Sequence, residues 1–171
     1  LLRDIPKLKT ILTAMVKASK KPVTVKIRSG WDIGSRNAVD AARAAEDAGV
    51  SAVFIHGRDR QQFYKGTVDY ASIAAVKKSV KIPVIASGDI WSAVHAKKMF
   101  DETGCDGILV ARGGLGNPWI FRQIEEYLSQ GRLLPAPETE EILSVMQQHM
   151  EMMITEHGEK NAVALMRKFV G

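Results

Sequence analysis

Short apolar runs rich in β-branched residues alternate along most of this chain with stretches of helical periodicity. Pro22 to Ile27, Ala52 to Ile55, Ile82 to Ala86 and Gly107 to Val110 are nearly continuous in apolar residues, the pattern of strands covered on both faces. Between them Ala38 to Ala48, Tyr70 to Ser79 and Ser92 to Asp101 carry helical spacing. Gly49 and Gly104 stand where a left-handed stop belongs. Ile5 to Ser19 predicts a helix ahead of the first strand. This βαβα rhythm predicts a parallel sheet with helices packed outside it.

Beyond the fourth strand the pattern changes. Asn117 and Pro118 predict a cap and first position for a helix running to Leu128. The segment Gly131 to Pro137 then reads as a linker. Thr139 opens a longer helix to about His157, with Ile142, Val145, Met146, Met150 and Met153 on one face, and a last helix is expected over Lys160 to Val170. Residues 1–134 are therefore expected to form the α/β unit, and residues 135–171 the start of a separate helical domain.

Polar residues interrupt the apolar pattern at corresponding places. Lys26 stands near the end of the first strand, His56 follows the second, Ser87-Gly88-Asp89 the third and Arg112 the fourth. In α/β barrels the C-terminal strand ends converge on one mouth that holds the site, so these groups are expected to meet. A lysine inside VTVKIRSG needs an anion or strong acceptor to offset desolvation, with an ion pair as the plainer alternative. The run ARGGLGNPW feeds glycine-rich backbone into a helix start, a place suited to phosphate. It matches neither the dinucleotide-binding glycine spacing nor a P-loop.

Composition narrows the classes. The chain has 171 residues, short of the roughly 250 of a complete eight-stranded α/β barrel. Hydrophobic residues make up 46% and charged residues 25%, the balance of a soluble globular protein. The charged opening, LLRDIPKLKT, has no signal-peptide core, and a cytoplasmic location is expected. A net charge of +5 suits a polyanionic partner. The single cysteine, Cys105, excludes an internal disulfide and is expected to pack rather than react.

Taken in order, VTVKIRSGW, HGRDRQQFYKG, IPVIASGDI and TGCDGILVARGGLGNPWIF resemble the bacterial tRNA-dihydrouridine synthase family over almost the whole chain. His56-Gly57-Arg58 followed by Arg60, Gln62, Tyr64 and Gly66 is the most diagnostic part. The resemblance implies a (βα)4 half of a TIM barrel, strands five to eight, followed by the start of a helical tRNA-binding domain. It implies FMN at the mouth, NADPH as electron donor, and reduction of uridine to dihydrouridine in tRNA. By position Lys26 would hold the pyrimidine edge of the flavin and His56 would lie beside its ring. Ser87, Gly88, Asp89, Ala111 and Arg112 would bind the ribityl phosphate, and Arg58, Arg60, Gln62 and Tyr64 would face the tRNA.

Three positions depart from the family wording: Ser87 replaces Asn, Ala111 replaces Gly and Asp59 replaces Thr. The family's proton-donor cysteine is expected before Leu1, so no catalytic residue is expected in this chain, and no metal site. A half-barrel with two open edges is expected to self-associate and not to turn over. Other readings are a different FMN-dependent barrel oxidoreductase acting on a small molecule, or a non-catalytic phosphate-binding half-barrel.

Overall fold

A computed structural model describes residues 1–170. Helix α1 (Ile5–Ala18) opens the chain, with the Asp4 carboxylate accepting from the Lys7 N–H at 2.9 Å and Pro6 in the first turn. Four strands follow, β1 (Thr24–Arg28), β2 (Ala52–His56), β3 (Val84–Ser87) and β4 (Gly107–Leu109), joined through α2 (Ala38–Asp47), α3 (Tyr70–Ser79) and α4 (Ala93–Thr103). They form one parallel sheet in the order β1-β2-β3-β4, so each helix is a crossover between neighbouring strands. Both outer strands, β1 and β4, are edges.

The register sorts the side chains into two faces. Ile27, Ile55 and Ala86 share a row, as do Val53 and Val84, and all five are buried. They meet α2, whose Ala41, Ala42 and Ala45 are fully buried, and the Ile73, Val76, Ala96 and Met99 faces of α3 and α4. Alanine is small enough to let α2 approach the sheet closely. Phe54 and Ile85, on the other face, are only partly buried. Strands expected to be covered on both sides are therefore sealed on the helical side alone.

Local signals set the helix ends. Asp69 caps α3, accepting from Ser72 N at 3.1 Å, and Ser92 caps α4, accepting from His95 N at 3.3 Å. Gly104 closes α4 in the left-handed conformation at φ 65°. The next helix, α5 (Ile120–Gln130), departs from expectation. Its N-cap is Trp119 without a side-chain cap, because Arg112–Gly114 forms a 3-10 turn and Asn117 receives the Ile120 N–H through its backbone carbonyl at 3.3 Å. Helices α6 (Thr139–His157) and α7 (Glu159–Val170) pack on each other. No residue of α6 is fully buried; Ile142, Val145 and Met146 line a cleft with Trp119, whose indole N–H donates to Glu141 at 2.7 Å. No helix among the described residues is long and apolar enough to cross a membrane.

Candidate functional site

Parallel pairing aligns Arg28, His56, Ser87 and Leu109 in one row across the C-terminal strand ends. Two residues earlier on the same face run Lys26, Phe54, Ile85 and Gly107. The loops after the strands rise around these rows and enclose a cavity of about 220 Å³. All seven residues expected to bind the cofactor, Lys26, His56, Ser87, Gly88, Asp89, Ala111 and Arg112, line it. Of the four expected to face tRNA, only Tyr64 does.

Two groups in the cavity are held in uncommon states. Lys26, expected to be desolvated within its strand, is instead an exposed residue on the open face of the sheet; partial burial and the neighbouring Arg28 charge lower its pKa from the ordinary value, and among the described residues no hydrogen bond or ion pair engages its ammonium. Burial, with Arg28, Lys26 and Arg58 adding to it, lowers the His56 pKa to about 4, so this imidazole is neutral at pH 7. The His56 Nδ1 atom is buried without a partner. Lys26 thus offers an accessible positive charge at the cavity, whereas the unpartnered His56 Nδ1 is shut off from solvent.

At the other side of the cavity three charges interlock. Arg58, only 2% exposed, places Nη1 and Nη2 on the two Asp89 carboxylate oxygens at 2.8 and 2.5 Å. Its Nε and Nη2 also donate to the carbonyls of Lys65 at 3.0 Å and Gly66 at 2.6 Å. Asp89 in turn accepts from Arg112 Nη2 at 3.1 Å. The Arg58 hydrogen bonds hold the Asp89 carboxyl below its ordinary pKa, with both guanidinium charges assisting. Arg112 lies over two rings, its guanidinium carbon 4.4 Å from the centre of Tyr64 and 4.8 Å from that of Trp91.

The backbone here is shaped for an anion. Among the described residues no hydrogen bond engages the N–H groups of Gly88, Asp89, Arg112 or Gly113. Gly88 has φ 129°, and a Cβ there would lie 2.7 Å from Val68 Cγ2. At Gly113 a Cβ would meet the Ile90 carbonyl oxygen at 2.0 Å, so the loops after β3 and β4 approach as closely as glycine allows. Unpartnered amides from two loops, with Arg112 beside them, therefore border the same cavity, an arrangement chemically suited to an anion.

The loop after β2 is more structural than expected. Arg58 lies beneath the cavity, where a tRNA contact is out of reach. Gln62 forms a reciprocal clamp, its Oε1 accepting from Asp59 N at 2.9 Å while its own N–H donates to Asp59 Oδ1 at 2.8 Å. Asp59, itself 2% exposed, is thus a turn anchor. Arg60 is exposed, away from the cavity, on the rings of Trp31 and Phe63. The sequence reading missed Arg28 and Trp91 as cavity walls. Strand alternation was the signal for Arg28, two residues beyond Lys26; an aromatic directly after the strand-end turn was the signal for Trp91.

Comparison with known proteins adds to this geometry. A family model for dihydrouridine synthase (Dus) matches residues 1–171. The chain is 45% identical over its whole length to tRNA-dihydrouridine synthase B of Pseudomonas aeruginosa, covering 52% of that protein. It is 45% identical over 94% of its length to a probable tRNA-dihydrouridine synthase of Rickettsia conorii, covering 49% of it. The chain thus spans about half the length of these curated relatives. Among solved structures, phosphoenolpyruvate phosphomutase from Streptomyces platensis subsp. rosaceus matches with a TM-score of 0.53 over 92% of this chain and 70% of that one, at 18% identity, a likeness of fold alone.

Proposed function

Since this chain belongs to the dihydrouridine synthase (Dus) family, we propose that its cavity binds FMN in a protein that reduces uridine to dihydrouridine in tRNA, with NADPH as electron donor. One juxtaposition carries the reading: Lys26 and two loops whose Gly88, Asp89, Arg112 and Gly113 N–H groups have no hydrogen-bond partner among the described residues line the same cavity at one end of the sheet. When bound, the flavin supplies hydride for the C5–C6 bond of the uracil ring.

The chain's own residues divide the remaining work. Gly88, Asp89, Arg112 and Gly113 offer N–H groups to the phosphate, while the Asp89 carboxylate, already engaged by Arg58 and Arg112, is kept from repelling it. Lys26 offers positive charge to the electron-rich edge of the isoalloxazine. Neutral His56 adds polarity beside the ring without adding charge. Tyr64 and Trp91 wall the open side, and the paired helices α6 and α7 are offered to the RNA beyond it. Among the described residues no thiol reaches the cavity, because Cys105 is buried ahead of β4, at the opposite end of that strand. The chain alone is therefore expected to bind without turning over.

Titration of the purified chain with FMN and with riboflavin, followed by flavin fluorescence, tests the site. FMN bound at least about tenfold more tightly than riboflavin is the expected result, since only FMN carries the phosphate. Equal affinity, or none for either, sinks the assignment. Dihydrouridine formation by the chain alone from tRNA and NADPH would overturn the expectation of inactivity.

A further inference from the structure

A second cluster on the same rim lies outside the cavity. The Arg60 guanidinium sits between two rings, 5.0 Å from the centre of Trp31 and 5.2 Å from that of Phe63, and Arg3 lies 4.3 Å from Trp31. Backbone bonds fix the two loops to each other, Arg60 N to Gly30 O at 3.0 Å and Gln61 N to Trp31 O at 3.1 Å. Phe63 has φ 51°, a conformation costly for a bulky side chain, yet its side chain gains little core packing, since it is 54% exposed. Arg28 holds that conformation by donating to the Phe63 carbonyl at 3.2 Å. A strained backbone that turns an aromatic ring outward beside the Arg60 guanidinium, with little core packing in return, points to a use other than the stability of the fold.

We propose that Trp31, Arg60 and Phe63 form a stacking platform for an unpaired nucleotide of the RNA strand next to the base taken into the cavity. Alternating guanidinium and aromatic planes accept the faces of unstacked bases, and the surrounding arginines meet the phosphates between them. The platform adjoins the cavity through Tyr64, the residue after Phe63, so a strand crossing it leads to Arg112 and Trp91. A duplex keeps its base faces covered and gains only the charge. This inference rests on RNA being the substrate.

Fluorescence anisotropy with a labelled uridine-rich single-stranded RNA and a duplex RNA of the same length tests it on the full chain. Phe63→Gly removes the ring and suits the left-handed backbone, so it should melt no lower than the parent protein. Arg60→Lys keeps the charge and loses the plane. Both are expected to weaken single-strand binding about tenfold, the scale of one base stack, with duplex binding and flavin affinity unchanged. Unaltered single-strand affinity in both variants overturns the platform, as does an equal loss on both RNA forms, which would make the contact purely electrostatic. A parent protein that binds neither RNA would instead defeat the RNA reading itself, with the flavin titration left standing.

Discussion

Arg58 shows how much one buried guanidinium can organise. Two of its hydrogen bonds tie the loop after β2 to Asp89 after β3, and two more fold that loop back on itself at the carbonyls of Lys65 and Gly66. Lysine keeps the charge but cannot span two carboxylate oxygens and two carbonyls at once. Arg58→Lys is therefore expected to lower the unfolding free energy by about 2 kcal/mol in urea titrations, with carbonyls left unpaired in the interior. It should also erode the preference for FMN over riboflavin, because Asp89 would then draw on Arg112 alone. His56 makes a second residue-scale prediction. The unfolded chain takes up a proton near 6.5 whereas the folded imidazole resists until about 4, so stability falls as pH drops from 6.5 toward 4. The Asp89 contribution has its lowered carboxyl pKa as its limit; it is intact above 3.8 and is lost only as pH falls further, through that lowered value. An NMR titration should find the His56 midpoint near 4, and a midpoint at 6 or above would contradict the burial described here.

At the scale of elements, the two loops that form the anion cradle depend on contact between backbones. Gly113→Ala places a methyl 2.0 Å from the Ile90 carbonyl, so one loop must move. The expected outcome is a lower melting temperature together with at least about tenfold weaker FMN binding, whereas a change confined to stability would place the phosphate elsewhere. The strands and crossover helices were legible because burial on the helical side demands apolar residues such as Val53 and Ile55 within short β-branched runs, and because Gly49 and Gly104 follow α2 and α4 in the left-handed conformation that glycine favours. Six of the seven cavity residues were legible because parallel strands bring their C-terminal ends together, and Ala111 through the family resemblance alone. The roles of Arg58, Asp59 and Gln62 were not, since each depends on partners set by loop closure rather than by periodicity. The start of α5 was misplaced for the same reason: Asn117 carries a capping side chain, but the preceding turn spends its carbonyl instead.

The whole molecule is asymmetric in what it seals. Helices cover one face of the sheet, while Phe54 and Ile85 remain partly exposed on the other and both β1 and β4 end without a neighbour. Unpaired parallel edges beside apolar surface favour pairing with further strands. Light scattering of the isolated chain is expected to show association that grows with concentration, and a monomer stable across the micromolar range would contradict it. Charge substitutions outward on β4 should reduce that association.

The cradle has one further meaning for the architecture. Its amides come from segments on either side of β4, the shortest strand and one with a single neighbour. An oxyanion gripped by both would act as a rivet, clasping the last strand to the sheet. Loading the site and finishing the edge would then be one event, and the ligand would count among the structural members of the protein.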